Sequence, residues 1–314
     1  MSRRSAPIAE PGAAIGYAPG RWGRRVLAGS VGPVLIVCVA ILALWYLGSV
    51  FLNAPFSREK LDRAGVPYTT SELVAATLND ERPVLPSPHQ VAAEIWKTTF
   101  LVSPSSKRSL VYHGWVTLSS TLLGFLMGTL LGIALAVGIV HSRTLDRSLM
   151  PWVIASQTIP ILAIAPMVVV VLNAVGLTGL LPKAIISTYL SFFPVTVGVV
   201  KGLRSPDIIH LDLMRTYSAS RAQVFWKLRW PASVPFLFTS MKVAIAASLV
   251  GAIVGELPTG AVAGLGARLL TGSYYGQTVQ IWAALLAAAS LAGVLVGIVG
   301  LVNRIVLKRM GVPA

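Results

Sequence analysis

The 314-residue sequence is short of charge and nearly free of cysteine. Asp, Glu, Lys and Arg make up 12% of it, about half their share in an average soluble domain, which excludes a soluble enzyme or a water-exposed binding module. Acidic residues are the scarcer sign, 11 against 26 Lys and Arg, for a formal charge of +15. A single cysteine, Cys38, can build neither a disulfide framework nor a thiolate metal cluster. The histidines His89, His113, His141 and His210 stand outside the centres of the apolar runs, so a membrane-embedded enzyme would have no cluster of metal or acid-base groups to use. The chain lacks a Gly-x-x-x-x-Gly-Lys-Ser/Thr phosphate loop, which leaves any ATP chemistry to another polypeptide. It also lacks a repeat of 20 to 50 residues or self-similar halves, and so gives no support to a repeat array or an inverted-repeat carrier.

What is present is apolar. Hydrophobic residues reach 55% and the mean hydropathy is +0.74. They gather in runs of roughly 20 residues, each long enough to cross about 30 Å of hydrocarbon. The runs predict six transmembrane helices: 31–52, 116–140, 152–175, 180–200, 236–257 and 279–302. The chain is thus expected to be an all-α, polytopic membrane bundle. Its organisation reads as a basic N-terminal tail (1–30), a first uncleaved anchor (31–52), an external polar segment (53–115), a core of five spans (116–303) and a short tail (304–314). Cations mark the inner side. Residues 201–235 carry six Lys and Arg against Asp207 and Asp212, whereas residues 53–113 are nearly balanced, seven positive to six negative. Both termini and the 201–235 loop are therefore expected in the cytoplasm. The excess cations lie in loops and tails, where they meet lipid headgroups, and nucleic acid is not expected as a partner.

Within the spans, Gly124, Gly128 and Gly132 recur every fourth residue and form a stripe that another helix backbone can approach. The stripe is read as ordinary packing, the alternative being a helix that slides along a pathway. In the third span, Gln157-Thr158-Ile159-Pro160 sets polar side chains beside a missing backbone donor, so the helix must bend or break there. Its polar groups either line a pathway or satisfy local carbonyls. Phe192-Phe193-Pro194 predicts a second kink. Lys242 is placed to snorkel toward the cytoplasmic headgroups. Glu256, 20 residues beyond Phe236 and so about 30 Å along a helix, is expected near the outer interface as a solvated carboxylate, the alternative being a group that lines an external mouth. Candidate pathway residues are Gln157, Thr158, Pro160, Ser191, Phe193 and Glu256.

The loop between the fourth and fifth spans has the pattern of two short helices. The first, over about 206–217, carries Ile208, Ile209, Leu211 and Met214 at helical spacing. Ser218-Ala219-Ser220 supplies a turn and an N-cap for a second helix through Val224, Phe225 and Leu228, which Trp230-Pro231 is expected to stop. An amphipathic hairpin of this kind is shaped to enter a groove on another protein.

At these residues the chain resembles the permease subunits of bacterial ABC importers, whose loop reads Glu-Ala-Ala, three residues, Gly, nine residues, Ile-x-Leu-Pro. The same spacing runs here from Asp212-Leu213-Met214 through Arg215 and Tyr217 to Ser218, then from Ala219 to Lys227, and ends in Leu228-Arg229-Trp230-Pro231. Ser218 stands at the glycine position, where it is less free to adopt a positive φ. Leu85-Pro86-Ser87-Pro88, Leu123-Gly124-Phe125, Ala165-Pro166, Gly202-Leu203-Arg204, Gly255-Glu256 and Gly264-Leu265-Gly266 add a likeness to the nitrate, sulfonate, taurine and pyrimidine-precursor branch, over about residues 85–310. The resemblance implies a type I importer permease fold in a bacterial inner membrane. It further implies a second permease copy or paralogue, two copies of a cytoplasmic ATPase that bind ATP and Mg, and an external substrate-binding protein. The coupling residues it implies are Asp212, Leu213, Met214, Arg215, Tyr217, Ser218, Ala219 and Pro231. This chain itself is expected to bind no cofactor or metal and to catalyse no reaction. An ion-coupled secondary carrier is the competing reading, and it would place ionisable groups near the bilayer midplane.

Overall fold

A computed structural model describes residues 31–65, 67–258 and 263–311, so the basic tail expected at 1–30 lies outside the described residues. The described residues form helices joined by short turns: α1 (Val31–Ala64), α2 (Thr70–Leu78), α3 (Pro88–Trp96), α4 (Leu110–His141), α5 (Arg143–Ala155), α6 (Ile161–Ala174), α7 (Leu180–Leu203), α8 (Ile208–Thr216), α9 (Arg221–Val224), α10 (Trp230–Glu256), α11 (Leu265–Tyr274) and α12 (Thr278–Arg309). Among the described residues, five helical runs are long and apolar enough to cross a membrane; α5 and α6, bent by 102° at a short break, make a sixth when taken as one broken span. The break falls at the expected place. A 3-10 turn, Ser156–Thr158, ends the first arm and Pro160 caps the second in an extended conformation, because proline cannot donate the hydrogen bond that would continue the helix.

The core is built on α7, which packs along both α4 and α10. Small residues set how closely it can do so. A β-carbon added to Gly124 would sit 2.2 Å from Ser187 Cβ, and one on Gly128 would sit 2.0 Å from Ser191 Oγ. On the opposite face, a β-carbon on Gly251 of α10 would lie 2.7 Å from Ser187 Cα. Ser187 is thus pressed between glycines of two helices, a geometry that no larger residue allows. Ala136, Ile139, Val195, Val199 and Leu203 fill the rest of this interface.

Two boundaries differ from the expected ones. α1 does not end at Leu52 but runs on to Ala64, its last turns supported by an Arg63–Glu59 pair at i,i+4. Asn53 lies inside this helix and is buried. Its side chain donates to Leu85 O at 2.8 Å and accepts from Val84 N at 2.8 Å and Leu85 N at 3.1 Å, and so it fastens the 83–87 turn to the helix. The second correction concerns Trp230-Pro231, which stops nothing. A π-helical turn, Phe225–Arg229, leads directly into α10. Pro231 falls within the first two positions of α10, where its lack of an N–H costs little.

The antiparallel packing also sorts the ends of the bundle. The C-terminal ends of α4 and α7 meet the start of α10 and the 204–229 loop, where Arg204 pairs with Asp146 at 2.9 Å and His141 meets Phe225 edge to face. The start of α4, the start of α7 and the end of α10 meet at the opposite end, where Thr117 donates to Glu256.

We expect Gly128→Leu to destabilise the fold by at least about 1–3 kcal/mol, the usual cost of overpacking. Gly293→Leu, where nothing lies within 4 Å of the added carbon, should be neutral. Thermal melts of the detergent-purified variants test the pair, and equal melting would show that the α4–α7 seam is loosely packed.

Candidate functional site

α8 carries an exposed apolar surface outside the long helices. Asp207 caps the helix by accepting from Ile209 N. Ile209, Leu213 and Tyr217, four residues apart, are 73%, 52% and 76% exposed and form one ridge, with Ile208 beside it. Leu211 and Met214 turn partly inward, so the apolar stripe read from the sequence divides between two faces. The Asp212 carboxylate accepts from Arg215 at 2.8 Å, with both side chains largely exposed; an exposed pair of this spacing contributes only a few tenths of a kcal/mol.

The turn after α8 is a Schellman motif. Ala219 N donates to Met214 O at 3.0 Å and Ser218 N to Arg215 O at 2.8 Å, the bonding that requires a left-handed residue just past the helix end. That residue is Ser218, with φ 52°, the one non-glycine with positive φ among the described residues. Serine is held where the loop pattern has glycine, at a conformational cost of about 1 kcal/mol or more. Ser220 then caps α9, accepting from Gln223 N while the Gln223 side chain accepts from Ser220 N. Phe225 is buried in the core formed by α4 and α7, and the adjacent Trp226 remains exposed. The hairpin therefore stands on a packed root. Arg229 strengthens it by donating to Leu203 O.

At the other end of the bundle the sequence concealed a polar lock. Glu256 is fully buried rather than solvated. It accepts from Thr117 Oγ1 at 2.9 Å and from Gly266 N at 2.8 Å, while Thr117 Oγ1 accepts from Leu265 N at 2.8 Å. Gly264 has φ 126°, and a side chain there would lie 2.2 Å from the Glu256 carboxyl carbon. His113 Nδ1 accepts from Gly264 N at 3.0 Å in the tautomer whose Nε2–H donates to Lys107 O at 2.9 Å. Lys183, 7% exposed, donates to Ala263 O at 3.3 Å. Together these groups hold the start of α11 against α4. The geometry corrects the reading of Glu256 as a solvated interfacial carboxylate: Thr117 of α4 and the backbone at 264–266 stand where water would be, and a buried carboxyl is tolerated only where partners replace solvent. Thr117, His113 and Lys183 were not anticipated as a set. The one available signal was Lys183, an ammonium three residues into an apolar run.

The other candidate pathway residues do not converge. Gln157, Thr158 and Pro160 are exposed at the α5–α6 break, where Thr158 donates to Ala155 O at 2.8 Å and the Tyr189 hydroxyl donates to Ser156 O. Ser191 is buried in the α4–α7 seam, donating to Ser187 O at 2.9 Å; its hydroxyl serves packing. Phe193 is half-buried on α7.

Residues 128–312, which include the α8 hairpin and Glu256, match the family model described as binding-protein-dependent transport system inner membrane component. The chain belongs to that family. Similar proteins include a probable ABC transporter permease protein of Haemophilus influenzae, 31% identical over 73% of this chain and 88% of its own length. Another is the formylaminopyrimidine transport permease protein ThiX of Halalkalibacterium halodurans, 31% identical over 62% and 72%. A third is the riboflavin transport system permease protein RibX of Chloroflexus aurantiacus, 30% identical over 72% and 80%. The fold is similar to a chain of the inward-facing MetNI methionine ABC transporter, with TM-score 0.54, 18% identity and coverage of 64% of this chain and 95% of that one. The protein is accordingly an all-α, multi-pass ABC importer permease of the inner membrane with the type I fold, and the ion-coupled carrier reading finds no support among these relatives.

The family's loop turn makes a local forecast. Ser218→Gly should raise stability by about 1 kcal/mol by removing the left-handed penalty, and Ser218→Val, β-branched at the same φ, should lower it. Melting temperatures of the three proteins decide; the opposite order would place the strain elsewhere.

Proposed function

We propose that this permease, paired with a second copy or a paralogue, forms the translocation pathway for a small organic solute that an external binding protein delivers and a separate ATPase drives. The exposed ridge of Ile209, Leu213 and Tyr217 carries this reading: an apolar surface on a rooted hairpin is stable in water only if another protein covers it. Two copies of a cytoplasmic ATPase, which would hold ATP and Mg, supply that cover, and this chain hydrolyses nothing itself. Asp212 and Ser218 set the geometry of the coupling helix, Leu213, Met214 and Tyr217 make its apolar contact, and Arg215, Ala219 and Pro231 complete the frame. Gln157, Thr158 and Pro160, exposed at the broken span, face the space between the two permeases. Relatives are named for formylaminopyrimidine, riboflavin, nitrate and aliphatic sulfonates, and the solute proposed here is of that kind, a nitrate-, taurine- or sulfonate-like anion or a pyrimidine or riboflavin-like compound.

The cations of both termini and of residues 201–235 support a cytoplasmic location for them. With Cys38 replaced, cysteine at Arg221 should be labelled by a membrane-impermeant thiol reagent only after cell lysis, and cysteine at Ala75 in intact cells. The reverse pattern inverts the topology.

Asp212→Lys or Leu213→Glu should abolish ATP-driven uptake, since a desolvated interface contact is worth more than about 1 kcal/mol, well above the exposed ion pair alone. The variants should still insert and melt as the parent does. Uptake at the parental rate by either variant, in a complex that still holds its ATPase, would remove this hairpin from the mechanism.

A further inference from the structure

At the end of the bundle opposite the hairpin, the start of α4, the α6–α7 turn and the first turn of α7 enclose a cavity of about 550 Å³, within the range that holds small ligands. Its lining combines three kinds of group. Trp115 and Tyr112 of α4 form an aromatic wall, Ser119 and Asn173 add neutral hydrogen-bonding groups, and Lys183 contributes an ammonium. Lys183 is 7% exposed, and among the described residues its three N–H groups have one hydrogen-bond acceptor, Ala263 O, at 3.3 Å, with the Glu256 carboxylate acting on it electrostatically. A buried ammonium gains from further acceptors. The same wall contains Gly179 and Leu180, where the 24-residue α7 begins without a side-chain cap, so amide donors of its first turn and the positive end of its dipole add to the lysine. Trp115 is 67% exposed and keeps the aromatic side of the cavity accessible.

We propose that this cavity is a solute-binding site on the external side of the permease, selecting a molecule with one anionic group, held by Lys183, on a flat apolar body stacked against Trp115 and Tyr112. The assignment rests on the importer reading for its external orientation, though the binding chemistry itself does not require ATP or a partner. It makes the permease a second point of selection after the binding protein. The buried lysine answers to the anion, and the aromatic wall answers to a ring rather than to a compact ion.

The test uses the full chain in phosphatidylcholine nanodiscs, with benzenesulfonate as probe and benzenesulfonamide, its uncharged analogue, as control, and binding read by titration calorimetry. Saturable benzenesulfonate binding at least tenfold tighter than that of the sulfonamide is expected. Lys183→Met should weaken the sulfonate by at least tenfold and leave the sulfonamide unchanged, Lys183→Arg should restore it, and Trp115→Leu, a rim substitution that leaves the core intact, should weaken both probes. Equal affinities for the two probes, binding indifferent to Lys183→Met and to Trp115→Leu, or binding equal to that of empty discs would each overturn the site. Competitive displacement of benzenesulfonate when phosphatidylglycerol is added to the discs would assign the cavity to a lipid headgroup and likewise overturn the solute reading. Since the titration needs no nucleotide hydrolysis, a failed site leaves coupled uptake intact, whereas a failed importer reading would show as absent uptake with the titration unchanged.

Discussion

The approach of α4 and α10 to the two faces of α7 is the contact from which the rest of the structure follows. In a bilayer, lipid tails solvate apolar side chains as well as leucine does, so helices gain little from apolarity alone and associate through close packing. Glycines at 124, 128 and 251 let backbones meet around Ser187 and Ser191. Once that triad is fixed, the C-terminal ends of α4 and α7 and the start of α10 form one platform and their other ends form a second.

Each platform fixes a segment that could not hold its shape alone. On one, Phe225 enters the core beside Leu203 and Ile139, and the π-helical turn makes the hairpin continuous with α10. A load on the hairpin is therefore carried into a transmembrane helix through continuous helical backbone from Arg221 to Glu256 rather than across a flexible linker. On the other, Glu256, Thr117 and His113 spend their hydrogen bonds on backbone groups at 264–266. Buried polar groups left partly satisfied are costly, so this end is held in one arrangement. Gly264 is required there because the carboxylate occupies the volume of any side chain.

Elements governed by short-range chemistry could be read from the chain. The break after Gln157 follows from Pro160, the cap at Ser220 from Gln223 three residues on, and the Asp212–Arg215 pair from helical spacing. Elements governed by long-range chemistry could not. Nothing local to Glu256 discloses that Thr117, 139 residues earlier, donates to it, and distance along the helix alone made it an interfacial carboxylate. Ser191 reads as polar and therefore pathway-facing, but its hydroxyl is consumed by Ser187 O on its own helix. The turn at 218 is an intermediate case: a serine looks unsuited to positive φ, and only the Schellman hydrogen bonds from 218 and 219 compel it.

By itself the sequence determined a polytopic helical membrane protein, because some 20 consecutive apolar residues leave helix as the only backbone that satisfies its own hydrogen bonds in hydrocarbon. It also determined the break before Pro160 and the paired short helices of the hairpin, since proline geometry and capping act over a few residues. The tertiary structure decided which faces are buried, that α1 continues past its apolar run and is pinned at Asn53, that Pro231 begins a helix rather than ending one, and that Lys183 and Glu256 lie together at one end of the bundle. Those outcomes depend on contacts between residues far apart in the chain, and their energies exist only after the helices have packed.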